Sequence, residues 1–182
     1  MSLYLGNKKV AVTNTIEKQV PSMKAFFEAG GKCAYSTTTS FDGCWQYSDT
    51  ENVTDMNKMF YYCSNLANVP LFDTKNVKNM DSMFYNCKKL TNVPLFDTSN
   101  VTDMYSMFSG CFSLEAIHMI NINANLKIFA STKFTREALL EIIGNLKAQT
   151  SGTKTLEMGS TNLAKLTDED KKIATDKGWT LS

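Results

Sequence analysis

Residues 72–95 read FDTKNVKNMDSMFYNCKKLTNVPL, and closely similar blocks stand immediately before and after. The same letters recur at Val53/Val77/Val101, Met56/Met80/Met104, Met59/Met83/Met107, Phe60/Phe84/Phe108, Cys63/Cys87/Cys111 and Leu66/Leu90/Leu114, each step being 24 residues. A fixed period of this size marks a repeat architecture, in which each unit buries its apolar side only against a copy of itself. Stacked copies expose a long, regular outer surface. Such a surface suits binding better than chemistry.

Two periods alternate within the block. Val53, Met56, Met59, Phe60 and Cys63 fall at the spacing of one helix face, and Asn52 reads as its N-cap with Asp55 three residues on. Asn100 with Asp103 repeats that start, and Asn76 with Asn79 keeps the cap without the charge. After the cysteine the pattern becomes Leu66-x-x-Val69-x-Leu71, a leucine-rich-repeat strand with alternate residues inward. Each unit is therefore expected to be a helix followed by a short strand. Pro70 and Pro94 remove the same amide from successive strands, so that ladder must be interrupted or very short.

Working outward, LYLGNKKVAV (3–12) reads as two strands around a Gly-Asn turn. PSMKAFFEAGG reads as a helix from Pro21 to the Gly30-Gly31 stop. Residues 34–44 read as loop, and residues 44–49 as a strand that sets Trp45 and Tyr47 in register with Val69 and Leu71. Beyond the third copy, 135–148 is an amphipathic helix capped by Thr135, and 154–159 is a strand. A helix over 167–178, from Thr167 to the Gly178 stop, and a last strand WTL complete the chain.

The expected fold is thus an α/β repeat: a short right-handed leucine-rich-repeat-like solenoid with atypical caps. Residues 1–48 form the N-terminal cap or attachment segment, 49–120 the three repeats and 121–182 a helix-strand-helix-strand cap. Because the terminal units of such an array must be atypical, one continuous domain is expected.

Composition narrows function. Lys and Arg number 19 against 18 Asp and Glu, so there is no basic field to gather a nucleic-acid backbone. A hydrophobic content of 43% argues against disorder. The N-terminus lacks the pattern of a signal peptide, and no apolar stretch approaches the roughly 18 residues that span a bilayer. Synthesis in a cytoplasm without membrane insertion is expected, unless the chain is a fragment. Cys63, Cys87 and Cys111 share one repeat position and point the same way, which suits buried apolar packing rather than disulfides. Cys33 and Cys44 either pair with each other or simply fill core.

The blocks FDTKNVKNMDSMFYNC and FDTSNVTDMYSMFSGC resemble the BspA-type leucine-rich repeats of bacterial surface proteins, over roughly residues 49–120. The tail from Met158 is similar to the closing segment that follows such arrays in proteins of Firmicutes and their phages. The opening LYLGNKKVAV resembles, more weakly, the N-termini of phage tail-associated proteins. The resemblance implies a non-enzymatic adhesion or recognition module. Bacterial adhesins of this kind carry signal peptides and wall anchors, neither visible here, whereas a virion protein is released by lysis. The expectation is a phage virion protein in several copies on the particle, tail-, fibre- or surface-associated, contacting other virion proteins and a host-surface protein or glycan. The alternatives are a bacterial cell-surface adhesin and a purely structural virion docking or decoration protein.

Candidate chemistry is sparse, and no catalytic, metal or cofactor residue is assigned. His118 is the single histidine, expected on the outward strand face, with no third group to orient a Cys111–His118 pair. No CxxC or histidine pair suggests zinc. Asp49, Asp73 and Asp97 stand one per repeat, and each suits a turn that hydrogen-bonds its own backbone better than a calcium ladder. SGTK at 151–154 lacks phosphate-loop spacing.

The candidate surface is the outward strand face. With Val69 and Leu71 inward, Asn68 and Phe72, Asn92 and Phe96, and His118 and Ile120 point out. The phenylalanines then form an exposed apolar stripe, or else the chain bends after Leu71 and tucks Phe72 into a corner of the coil. Tyr61 and Tyr62, with Tyr85 and Phe112, offer a second aromatic surface, and Tyr105 is a further candidate. Specificity is expected where the repeat varies, at Asn57, Asp81, Tyr105 and His118.

Overall fold

The computed structural model describes residues 2–5, 8–11, 50–69 and 71–182, the first two segments as backbone only. The expected helix from Pro21, the loop at 34–44, the Trp45/Tyr47 strand, Asp49, Cys33, Cys44 and Pro70 lie outside the described residues. Strands β1 (Ser2–Leu5) and β2 (Lys8–Ala11) pair antiparallel, with Ser2 opposite Ala11 and Leu5 opposite Lys8.

The expected repeat helix does not form. Residues 53–63, and their equivalents at 77–87 and 101–111, run as consecutive tight turns. The amides of Met59, Tyr61 and Cys63 fold back to the carbonyls of Met56, Lys58 and Phe60, three residues earlier. The intervening amides point out of the unit. Those of Met56, Lys58, Phe60 and Tyr62 donate to the carbonyls of Asn79, Asp81, Met83 and Tyr85 at 2.8–2.9 Å. The amides of Met80, Ser82, Phe84 and Asn86 do the same to Asp103, Tyr105, Met107 and Ser109.

A left-handed residue at every fourth position causes this alternation: Lys58 and Tyr62, Ser82 and Asn86, Ser106 and Gly110 all have φ between 53° and 78°. Each non-glycine residue there costs about 1–2 kcal/mol. The four bonds that the rotated peptides gain to the next unit contribute about 0.5–1.5 kcal/mol each, so the exchange is near neutral before burial is counted. Burial then decides it. Units joined by backbone bonds approach at strand spacing rather than the roughly 8–10 Å of packed helices. The Phe60, Phe84 and Phe108 rings accordingly stack at 5.4 and 5.8 Å, nearly parallel.

The polar letters of the block serve the same stacking. Asn76 and Asn100 cap no helix; their amides donate to the carbonyls of Glu51 and Lys75 in the preceding unit, at 2.6 and 2.7 Å. The Thr74 and Thr98 hydroxyls donate forward, to Asp97 O at 3.0 Å and Ile120 O at 2.8 Å. Asp73 and Asp97 accept from the amides two residues on, the turn expected from the sequence. Burial acts to raise the Asp97 carboxyl, but hydrogen bonds from Ser99 and Asn121 outweigh it and hold the group below its ordinary value.

The cysteine column divides. Cys87 and Cys111 are buried free thiols donating to Phe60 O and Phe84 O, at 3.1 and 3.0 Å. Burial pushes both up, Cys111 to about 12, so both remain neutral at physiological pH. Cys63 is disulfide-bonded, which corrects the reading of all three as apolar filler. A thiol reagent such as DTNB at pH 8 is therefore expected to leave Cys87 and Cys111 untouched in the native protein and to label both in denaturant. Rapid labelling of either in the native state counts against the buried, neutral assignment.

On the opposite side, β3 (Asn92–Asp97) pairs parallel with β4 (Ala116–Ile120). Val93 faces Ile117, but Phe96 faces Met119, so β3 has one residue more between these pairs. The bulge falls at Pro94–Leu95, where proline has no amide to give. Alternation resets across it. Leu71 and Leu95, expected in the core, are 47% and 55% exposed, while Phe72 and Phe96 are buried.

The remaining residues continue the stacking in a different style. Ile122 bridges in parallel to Leu146, and β5 (Leu126–Lys127), β6 (Lys154–Glu157) and β7 (Trp179–Leu181) form a parallel sheet in that order. Between these strands lie α1 (Arg136–Gly144), α2 (Ser160–Leu163) and α3 (Asp168–Asp176). Thr135 caps α1, as read from the sequence, but the helix ends at Gly144 because Leu146 is needed in the bridge. Thr167 and Asp170 form a capping box on α3, and Arg136 holds the Asp170 carboxylate through two bonds of 2.8 and 2.7 Å. That guanidinium, with the Thr167 amide, keeps the Asp170 carboxyl below the usual carboxylate range. The join of α1 to α3 is thus complete above about pH 4, the unfolded carboxylate value, and is lost as pH falls through the lower folded one. One buried apolar cluster runs from Val53 to Trp179.

Candidate binding surface

Two surfaces emerge from this geometry. At the corner that closes the turn ladder, the backbone register sets Tyr61 over Tyr85, with ring centres 5.0 Å apart and planes within 18°. The left-handed conformation of Tyr62 places its ring edge-on to Tyr61 at 4.7 Å and leaves it 46% exposed. The third unit has Ser109 and Gly110 at these positions, so the aromatic column stops there. Glycine suits position 110: at φ 78° a Cβ would lie 2.3 Å from Asn86 Oδ1, so the Asn86 side chain would have to move. The structure thus brings together Tyr61, Tyr62 and Tyr85. Tyr105 stands in a separate column with Asn57 and Asp81, whose side chains hydrogen-bond at 2.7 Å. It is 65% exposed, with Lys127 Nζ 5.9 Å from its ring centre and Lys127 itself paired to Glu157. The Glu157 hydrogen bond raises the Lys127 ammonium above its ordinary value.

On the strand face, Asn68 and Asn92 are exposed and His118 and Ile120 half-buried. His118 Nδ1 meets Glu141 Oε1 at 2.7 Å, linking β4 to α1. Phe72 and Phe96 do not belong to the surface; they are in the corner core, 6.0 Å from each other. Ile120 lies opposite Asp97, because the bulge shifts the third unit by one residue. The apolar stripe is carried instead by Leu71 and Leu95, which the strand-alternation reading placed inside. For Leu95 the signal is the proline directly before it, which marks the bulge and therefore the phase change.

A cleft of about 330 Å³ opens where the repeats meet the C-terminal cap, lined by Thr102, Asn123, Ala124, Asn125, Thr153 and Lys154. Among the described residues no group of three His, Cys, Asp or Glu side chains is placed to hold a metal ion. No described helix is long and apolar enough to cross a membrane.

A family model described as Mycoplasma protein of unknown function, DUF285, matches residues 21–137, nearly two thirds of the chain. The chain belongs to DUF285. The matched span of this DUF285 chain covers all three 24-residue units, β4 and β5, and ends within the first turn of α1. Neither curated proteins nor solved structures give a match.

Proposed function

We propose that the stacked units are coils of a short solenoid, and that this DUF285 chain is a non-enzymatic recognition module attaching a particle or cell surface to a host-surface protein or glycan. The observation that carries this reading is the mounting of exposed rings and leucines on a backbone that cannot adjust. Tyr62 projects from a turn whose amide donates to Tyr85 O in the neighbouring unit, Leu95 projects from the bulge of the β3–β4 pair, and Leu71 is exposed at the equivalent position one unit earlier. Aromatic anchors held rigid lose little entropy on binding and dominate interface energetics. Copies displayed together multiply weak single contacts. The disulfide at Cys63 suits an oxidising setting outside the cytoplasm, as on a released virion or an exposed cell surface. Virion placement rests on the resemblance of the chain's two ends to phage-associated proteins.

The test uses the native particle or cell carrying Tyr62→Ala together with Leu95→Asp. Leu95 is exposed and Tyr62 half-exposed with its ring against Tyr61 and Tyr85, so stability should change by about 0.5 kcal/mol at Leu95 and about 0.5–1.5 kcal/mol at Tyr62. Assembly and yield are expected to stay normal while surface attachment falls by about tenfold or more, the loss of one or two hot-spot residues. Attachment at the wild-type level would defeat the reading. Failure to assemble would favour a docking protein that recognises nothing on the host.

A further inference from the structure

The geometry points to a second ligand site, separate from the tyrosine corner and the leucine stripe: the cleft at the repeat–cap junction binds an acidic sugar. It rests on the recognition reading only in taking a saccharide as the ligand class. The cleft's position follows from the chain's change of style. Thr102 belongs to the third repeat, residues 123–125 to the passage leading into β5, and Thr153 and Lys154 to the entry of β6.

The chemistry of the lining is one-sided. Among the described residues, Lys154 makes no ion pair and no carboxylate lines the cleft. Asn123 and Thr153 carry no side-chain hydrogen bond within the described chain. Asn125 uses its Oδ1 to accept from the Thr155 amide at 2.9 Å, which turns its two N–H donors to other use. Ala124, 4% exposed, supplies the one apolar wall. A single ammonium among neutral amide and hydroxyl donors, over a small apolar floor, matches one carboxylate on a ring bearing several hydroxyls. A volume of about 330 Å³ lies at the lower end of small-ligand sites. It accommodates one monosaccharide unit. A bare anion would engage the Lys154 ammonium alone and a neutral sugar the amide and hydroxyl groups alone, whereas an acidic sugar engages both.

The experiment is a titration of the full ¹⁵N-labelled chain with glucuronate, glucose and inorganic phosphate, followed by amide chemical shifts. Glucuronate is expected to bind in the millimolar range and to move the amides of Asn123, Ala124, Asn125 and Lys154. Glucose should bind about tenfold more weakly, and Lys154→Ala should weaken glucuronate by a similar factor, the loss of one charge-assisted bond. Lys172→Ala, which removes an exposed ammonium on α3, should leave glucuronate binding unchanged. Phosphate binding as tight as glucuronate, shifts confined to the tyrosine corner, or no shifts at all would each overturn the assignment. A blank titration removes the cleft site yet leaves the attachment test standing, since that test alters neither Lys154 nor Asn123.

Discussion

Phe84→Ala is expected to destabilise the protein by about 3–5 kcal/mol, the range for truncating a fully buried phenylalanine that neighbours cannot collapse upon. Phe84 is the middle ring of its column, with Phe60 at 5.4 Å, Phe108 at 5.8 Å and Phe96 at 6.4 Å around it. Collapse into the cavity is blocked because the backbones on either side are tied by hydrogen bonds at Phe60, Met83, Phe84 and Met107. Set against a typical total of about 5–15 kcal/mol, this loss brings the protein close to unfolding at ambient temperature. Urea denaturation followed by circular dichroism reads the effect. Phe112→Ala, at a 56% exposed ring, is the control and should shift the midpoint little. Similar shifts for the two variants would mean that the ring column is not what holds the units.

Excising residues 73–96, one full period, is expected to leave a chain that still folds, whereas excising residues 73–84 is not. The longer cut joins Phe72 to Asp97 and restores the Phe-Asp-Thr junction of the intact block. The amides of Met56, Lys58, Phe60 and Tyr62 then meet the carbonyls of the third unit instead of the second. At about 0.05–0.15 kcal/mol per residue, removing one unit lowers stability by roughly 1–4 kcal/mol. The half-period cut brings strand residues against the turn ladder and left-handed positions against core positions, so no register satisfies both sides. Thermal melts of the two deletions decide the matter. A cooperative transition in the half-period variant would rule out register-specific stacking.

Much of the outcome was legible in the letters themselves. The period, the buried identity of Val53, Met56, Met59 and Phe60 with their equivalents, the Asp73 and Asp97 turns, and the Thr135 and Thr167 caps all follow from side-chain chemistry. The repeat backbone was not legible. Consecutive four-residue turns put the same residues inward as a helix does, so the spacing of Val53, Met56, Met59, Phe60 and Cys63 fits both. Lys58, Tyr62 and Ser82 carry no compositional mark of the left-handed region, which glycine and asparagine favour. Only Asn86 and Gly110 hint at it. The same limit misplaced Leu95: period-two alternation assumes an unbroken strand, and the bulge at Pro94–Leu95 changes phase midway, while the corner reading of Phe72 holds.

For the candidate surface, the sequence singled out the tyrosines and the variable positions but could not say which of them meet. Tyr61, Tyr62 and Tyr85 converge because inter-coil bonds superpose residues 24 apart, whereas Tyr105, one column away, joins Lys127 instead. The cleft around Lys154 had no sequence signature, since Thr102 and Lys154 meet only when the C-terminal residues pack on the third unit.

By itself, then, the sequence determined that this protein stacks copies of one unit and which side chains lie between them, because burial follows from hydrophobic identity and period. Where each amide finds its acceptor was decided by tertiary structure alone. A backbone hydrogen bond carries no residue identity, and in the turn ladder its partner lies 23 residues away in the next unit rather than along the local chain.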